Sequence, residues 1–459
     1  MKMPTGWTGP KAIAAAFILA GFVVTLALSW PGHLSYDSIL QLHQGRAAIY
    51  NNWHPPVMAW LLGLGDTLLP GAGLFVLFDC LLAFGALLSL LAFKTERATA
   101  LTAAIALCVV LSPQLVLYQG LVWKDVLFAD SAVAGFVALA HAAQAWSVAR
   151  RRNAWLAASV VLLLLAALTR QNGAILLPVA AGALCWIAAQ NGTRWGKAAL
   201  MAAGYLALLF VADGSATALL NLRSDGNPGT SEQIRLLQIY DLAGAVARQP
   251  DLALDQLHDD DPRLEGLIRG NGARLYTPVR NDPLAADPQI AAALADADPD
   301  EVGIQWRDLV LGHPLLYLRV RAAAFAWVFA TPDIVACRPV FTGIEGPERE
   351  LKELGILPRR DRVDLALQAY GDAFLGTPLF SHIAFAILAL ACLVLLLRRR
   401  RPADIAIAAM LAAMFAFTAS FLAISIACDY RYLYALDLCA LTALVYLALD
   451  ARSFFKRTA

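Results

Sequence analysis

Charge is scarce in this chain. Only 15% of its 459 residues are Asp, Glu, Lys or Arg, where a soluble domain carries about a quarter. The 36 basic and 35 acidic side chains leave a formal net charge of +1, so no broad basic field exists to steer a polyanion, and a nucleic-acid partner gains no support. Paired cysteine motifs are missing as well. The seven cysteines (Cys80, Cys108, Cys185, Cys337, Cys392, Cys428, Cys439) are scattered, six of them in or beside apolar runs, with no CxxC and no metal-type spacing; they read as small buried hydrophobes. No repeat of fixed period is present, so neither a solenoid nor an inverted-repeat transporter is favoured.

What the chain has is apolar surface. Hydrophobic residues fill 59% of positions, in runs such as Ile13 to Trp30, Gly71 to Phe93 and Ile383 to Leu397, the last extending back towards Phe374 if Pro378 and His382 are tolerated. About 20 residues at 1.5 Å rise cross roughly 30 Å of hydrocarbon. Lys2 and Lys11 precede the first run as in a signal sequence, but the run is long and Ala27-Leu-Ser-Trp-Pro31 offers no clean cleavage pattern, so an uncleaved first span is expected.

Basic clusters at Lys2/Lys11, Lys94/Arg97, Arg150 to Arg152, Arg194/Lys197, Arg398 to Arg401 and Arg452/Lys456/Arg457 belong in the cytoplasm under the positive-inside rule. About ten crossings satisfy all six, at roughly 12–30, 71–93, 99–117, 126–148, 154–169, 173–190, 198–219, 373–397, 403–426 and 433–450. The expected fold is therefore all-α, a polytopic helical membrane protein of the inner (cytoplasmic) membrane with both termini cytoplasmic. Val57 to Leu69, short and containing Asp66, and Leu315 to Ala330, carrying Arg319 and Arg321, read as interfacial helices. Residues 1–219 form an N-terminal membrane module whose first outer loop is 31–70, residues 220–372 an extracytoplasmic domain, and 373–459 a C-terminal membrane module. The insertion is rich in Asp, Pro, Gly and Arg; Ser231 to Gln249 and Asp300 to Leu311 are helix-compatible and no strand alternation is convincing, so it reads as mostly helical.

The first outer loop runs Leu34-Ser-Tyr-Asp-Ser-Ile-Leu-Gln41 and on to Trp53-His-Pro-Pro56. Ser35 is placed to cap a short helix presenting Asp37 and Gln41 on one face. A carboxylate held beside hydrocarbon can act as a general base; a solvated loop acid that only orients a helix is the bland alternative. Pro55-Pro56 forces an extended return to the membrane and holds His54 there, as a structural hydrogen-bonding group or as part of a site. The second outer segment, Tyr118 to Asp125, puts Lys124 and Asp125 at the start of a span, where the lysine either binds a phosphate as a point charge or anchors depth. Arg170, in Leu168-Thr-Arg-Gln-Asn-Gly173, either grips a phosphate with its fork or snorkels. Arg431, in Cys428-Asp-Tyr-Arg-Tyr432, sits between aromatics at the same level. Three outer turns that each offer one basic residue near the bilayer favour an anionic ligand. Asp79, Asp130 and Asp213 lie within spans and should face the bundle.

A first span, the Tyr36-Asp37-Ser38 loop, a downstream His54-Pro55-Pro56 and many later helices resemble the membrane glycosyltransferases of the GT-C superfamily, which use polyprenyl-phosphate sugars. The likeness is architectural over most of the chain and motif-like only over residues 35–56. It implies a glycosyltransferase of the cell envelope in which the first-loop acid, here Asp37, is the essential base. It implies a polyprenyl-phosphate sugar as donor, and a lipid, glycan or protein as acceptor. The carrier phosphate would meet Lys124, Arg170 and Arg431, with Tyr36, His54, Asp125 and Tyr432 lining the substrate. Members often carry a second loop acid, whereas Asp37 stands alone between Leu34 and Pro56, with Asp125 the later candidate. No cofactor is required by this reading and no metal site is assigned, so a divalent cation is without support. A transporter or flippase for a lipid-linked or anionic solute is the alternative, with ion coupling through Asp79, Asp130 and Asp213; a scaffold without catalysis is the third.

Overall fold

The computed structural model describes residues 9–93, 98–226 and 229–450. Lys2, Lys94, Arg97, Arg452, Lys456 and Arg457 lie outside the described residues. Among the described residues the chain is helical and without a named strand, and nine helices are long and apolar enough to cross a membrane. It is a polytopic helical membrane protein.

The first half comprises α1 (Gly9–Ser29), α2 (Tyr36–Ala47), α3 (Val57–Leu68), α4 (Gly73–Leu90), α5 (Ala100–Val110), α6 (Pro113–Val116), α7 (Lys124–Gln144), α8 (Ala149–Thr169), α9 (Leu176–Gln190) and α10 (Trp195–Asn221). The expected third span is broken: α5 and the Pro113–Gly120 segment meet at a bend of 54°, where Ser112 precedes a proline that cannot continue the ladder. Two ties place its ends. Thr102 Oγ1 donates to the carbonyl of Ala448, and the carbonyl of Gly120 accepts from the backbone N–H of His33 beyond α1. The bent pair therefore runs from one end of the bundle to the other, and α7 begins at the same end as α4 does. α3 is short, and Val57–Leu68 is not among the spans. It crosses α2 backbone to backbone, since a Cβ on Gly45 would lie 2.2 Å from the carbonyl of Ala59 and one on Gly63 2.2 Å from that of Gly45.

The second half opens with α11 (Gly229–Arg248), followed by the short α12 (Asp255–Asp260), α13 (Pro262–Leu267), α14 (Ala273–Leu275), α15 (Asp282–Ala285) and α16 (Pro288–Asp296). Then come α17 (Pro299–Gly312), α18 (Pro314–Ala330), α19 (Glu348–Leu354), α20 (Arg362–Asp372), α21 (His382–Arg399), α22 (Pro402–Ile424) and α23 (Tyr434–Ala448). The membrane helix expected from residue 373 starts only at His382. Pro378 opens a separate 3₁₀ turn, and Ser381 Oγ accepts from the N–H of Ala384 to cap α21.

Two apolar cores result. The larger joins the membrane helices around α7, which is buried along nearly all its length between α4, α8, α22 and α23. The smaller gathers Ile239 to Ala324 from α11 through α18, while Val328, Ile344, Leu351, Leu354 and Leu367 belong to the larger one. Arg321 of α18 fastens the two. It is buried, pairs with Asp241 at 2.9 Å, and donates to the carbonyls of Leu422 and Ser425, which α22 leaves free at its C-terminal end. The arginine expected at a membrane interface is thus an internal link.

Two expectations about side chains change. Cys337 and Cys428, 91 residues apart, form a disulfide with Cα atoms 5.0 Å apart, so these two are not simple buried hydrophobes; their partnership is invisible to a search for local spacing. Cys108 is exposed, and Cys80, Cys392 and Cys439 are buried and free. Of the acids within spans, Asp79 and Asp130 do face the bundle, at 1% and 0% exposure, whereas Asp213 on α10 is only partly buried.

Candidate functional site

The site lies where the first loop, the start of α7, the end of α8 and the start of α23 meet. Trp30-Pro31 ends α1, and Ser35 opens α2: its N–H donates to Ser38 Oγ, and Ser38 Oγ donates to the carbonyl of Val122. Trp123 Nε1 donates to Ser35 Oγ at 2.9 Å. These bonds lock the first turn of α2, and so Asp37, against the segment that leads into Lys124 and Asp125.

Asp37 Oδ2 accepts from Arg431 Nη2 at 2.7 Å. The other oxygen lies 3.9 Å from His54 Nε2, and His54 Nδ1 is 2.9 Å from Lys124 Nζ. Arg170 pairs with Asp125, both buried, and Arg431 Nε is 3.6 Å from the second oxygen of Asp125. Asp429 completes the group, 3.4 Å from Arg431 and 3.6 Å from Arg280. One guanidinium thus faces three carboxylates from three separate parts of the chain, and the carboxylates converge on it rather than on a common vacant point. Among the described residues, no set of three His, Cys, Asp or Glu side chains is arranged to hold a metal ion.

Aromatic rings frame both arginines. Arg431 lies over Trp123 at 5.0 Å and Tyr432 at 5.8 Å. Arg170 sits among Phe417, Phe421 and Tyr432 at 5.3 to 5.5 Å, contacts that strengthen as water is removed. The turn carrying Arg170 is pinned to α22 by Asn172 Nδ2 donating to Ser420 Oγ.

The electrostatics follow from this packing. Burial pushes the Asp37 carboxyl up, but the neighbouring His54 and the Arg431 charge outweigh it and hold the group well below the usual carboxylate range. His54 is lowered to about 4, first by burial and then by Lys124, with Asp37 opposing. Its imidazole is neutral at pH 7. Its two ring nitrogens face different partners, Nδ1 the Lys124 amine and Nε2 the Asp37 carboxyl. Burial lowers Arg170 to about 10, which leaves it charged.

Seven of the eight site residues read from the sequence therefore meet: Asp37, His54, Lys124, Asp125, Arg170, Arg431 and Tyr432. Tyr36 does not join them; it is 57% exposed. Four residues were missed. Asp429 lies two positions before Arg431 and carried the only usable signal, an acid within a quoted turn. Trp123, Phe417 and Phe421 carried none, because aromatic residues in apolar runs are ordinarily core.

A mostly apolar cavity of about 590 Å³ opens between α2 and α3 on one side and α8 and α10 on the other. Val57, Trp60, Leu64, Leu168, Leu219 and Leu220 line it, with Arg223 among them. Val57 follows directly on His54-Pro55-Pro56, and Leu168 precedes Arg170 by two residues, but no residue of the charged cluster itself lines the cavity.

The sequence matches no protein-family model and no curated protein. Among solved structures it is similar to the archaeal oligosaccharyltransferase AglB from Archaeoglobus fulgidus in complex with an inhibitory peptide and a dolichol-phosphate, with 14% identity and a TM-score of 0.41 over 96% of this chain and 50% of that one. It is similar also to the apo form of the Archaeoglobus fulgidus oligosaccharyltransferase, with 14% identity and a TM-score of 0.40 over 96% and 51%. The chain spans about half the length of both.

Proposed function

We propose that this protein is a membrane glycosyltransferase of GT-C type that moves a sugar from a polyprenyl-phosphate donor to an acceptor hydroxyl. The observation that carries the reading is the meeting of Asp37 with Lys124, Arg170 and Arg431, drawn from four segments to one end of the bundle. The basic clusters Arg150 to Arg152, Arg194/Lys197 and Arg398 to Arg401 lie at the opposite helix ends, which by the positive-inside rule puts the site on the outer face of the inner membrane. A disulfide at the site's end agrees with an oxidising compartment.

In this reaction Asp37 takes the proton of the acceptor hydroxyl, the hydroxyl oxygen attacks the anomeric carbon, and the bond from that carbon to the phosphate oxygen breaks. Polyprenyl phosphate leaves with the electron pair, its charge met by Lys124, Arg170 and Arg431. Arg431 Nε is buried and makes no hydrogen bond in the resting site, so it is a spare donor for a phosphate oxygen. The cavity between α2, α3, α8 and α10 receives isoprene units of the carrier.

The test replaces Asp37 with Asn, which keeps size and removes basicity. Transfer from a radiolabelled polyprenyl-phosphate sugar in membranes should fall by the 10² or more expected of a general base, with expression unchanged. An undiminished rate overturns the assignment.

A further inference from the structure

Base and cation sit on carriers that lie far apart in the chain. Asp37 rides on the first turn of α2, and Arg431 on the turn Tyr430–Leu433 that opens α23. One stretch of chain, residues 337–345, touches both carriers.

At its first end this stretch is bonded to Arg431's segment. Cys337 forms the disulfide with Cys428, three residues before Arg431, and its carbonyl accepts from the N–H of Tyr430 at 2.8 Å. Cys428 is held in addition by its own N–H, which donates to the carbonyl of Val279, while Arg280 donates to the carbonyl of Ala336 at 2.7 Å. In the middle, Tyr118 donates to the carbonyl of Pro339 and Phe341 packs on Trp123, the ring beneath Arg431. At its far end the stretch is laid against the start of α2. Leu34 N–H donates to the carbonyl of Gly343, Glu345 N–H donates to the carbonyl of Leu34, and His33 Nδ1 accepts from the N–H of Gly343. Gly343 has φ +90°, and a Cβ there would lie 2.3 Å from the carbonyl of Arg359, so this backbone path is open to glycine alone.

We propose that residues 337–345 act as a strap that sets the distance between Asp37 and Arg431, and that the Cys337–Cys428 disulfide is the positioning element which closes it. The inference rests on the transfer reaction proposed above. Its physical basis is that both ends of the strap are fixed within a few residues of the two reacting partners. Cutting one end frees Arg431's turn to move relative to α2 while the rest of the fold keeps its two cores. Both cysteines are fully buried, so the bond is shielded from soluble reductant once formed, and function depends on its being made during folding.

The experiment uses the full chain in detergent or native membranes. Alkylation of the denatured wild type, without reductant, should find five thiols, those of Cys80, Cys108, Cys185, Cys392 and Cys439; seven overturns the proposal. Cys337→Ser, Cys428→Ser and the double variant should lose transfer by about 10²-fold, the cost of misplacing a reacting group by roughly 1 Å, with a raised donor KM. Should those variants be produced poorly, the apolar pair Cys337→Ala with Cys428→Val keeps the site dry and carries the same expectation. The decisive readout does not depend on turnover. Carbodiimide labels protonated carboxyls, so Asp37 in the wild type should resist labelling at pH 5.5 and become labelled when Arg431 recedes. A bond that merely stabilises the fold would lower the active fraction and leave donor KM and Asp37 labelling as in the wild type, and that result overturns the strap. If the wild type transfers no sugar from any polyprenyl phosphate, the functional reading fails, while the labelling still judges the strap.

Discussion

Arg431 and Asp37, 394 residues apart, share a 2.7 Å ion pair at the centre of the charged cluster. The same guanidinium that would meet the donor phosphate also suppresses the basicity of the carboxylate that would take the acceptor's proton. In the proposed reaction a donor phosphate at Arg431 would compete with Asp37 and return proton affinity to it, so donor binding would prepare the base.

This coupling predicts a divided outcome at Arg431. Arg431→Gln removes a charge that stabilises the leaving phosphate and should lower kcat by about 10²- to 10³-fold, the usual cost of one preorganised donor. It also releases Asp37, so the acidic limb of the rate profile should move up towards the ordinary carboxylate value. Arg431→Lys keeps the charge without the fork and should shift the limb less. A profile unmoved in both variants would separate Arg431 from Asp37 functionally.

Acid should weaken the fold through its histidines. Burial lowers both His33 and His54 to about 4, against 6.5 unfolded. Between pH 6.5 and 4 the unfolded chain therefore binds more protons than the folded one, and stability falls as pH is lowered across that window. Above 6.5 neither residue contributes a slope. Asp37 acts in the same direction lower down, its stabilisation being present above the unfolded value near 3.8 and lost as pH falls through its depressed folded value. His54→Gln, whose amide is neutral at every pH, should flatten the melting temperature between pH 6.5 and 4 relative to wild type; an unchanged slope would mean that His54 is already solvated.

Much of this arrangement was readable in advance, and the reason is geometric. Apolar runs long enough to cross a membrane force their connecting turns to alternate between two faces, so Asp37, His54, Lys124, Arg170 and Arg431 were bound to share one. What the runs could not convey was pairing. Asp125 stands beside Lys124 in the chain but binds Arg170, and Asp429 became relevant only because α23 returns next to α2. The Cys337–Cys428 bond joins two segments that no local spacing relates. Helix ends were blurred where apolar character continued past a break, as at Pro378, where a proline and the Ser381 cap decide the start of α21 and hydropathy does not.

The buried acids of α4 and α7 separate transfer from transport. Asp79 and Asp130 are both buried in the bundle, and neither is in an ion pair with a basic residue among the described ones. Asp130 accepts from Gln119, whose amide also reaches Tyr434. Neither oxygen of Asp79 has a hydrogen-bond partner among the described residues, and an amide of the same size can stand in for either side chain. Asp79→Asn and Asp130→Asn should keep at least half of the transfer activity and melt no lower than the wild type, because an amide of the same size leaves no unpaired buried charge behind. Loss of all activity in either, with the protein folded, would favour an ion-coupled carrier.

The cavity between α3 and α10 should read the length of the carrier. Its walls at Trp60, Leu64 and Leu219 are apolar, and each buried methylene contributes about 0.8 kcal/mol. A donor with a full prenyl chain gains from this contact, whereas one cut to a single isoprene unit gains little beyond its phosphate. Leu219→Trp narrows the space and replaces none of the charged groups of the site, so it should raise the KM of long-chain donors about tenfold, equivalent to roughly 1.4 kcal/mol, and leave a one-isoprene donor nearly unaffected. Equal effects on both would place the carrier elsewhere, because only a tail lying in this cavity makes the penalty depend on its length.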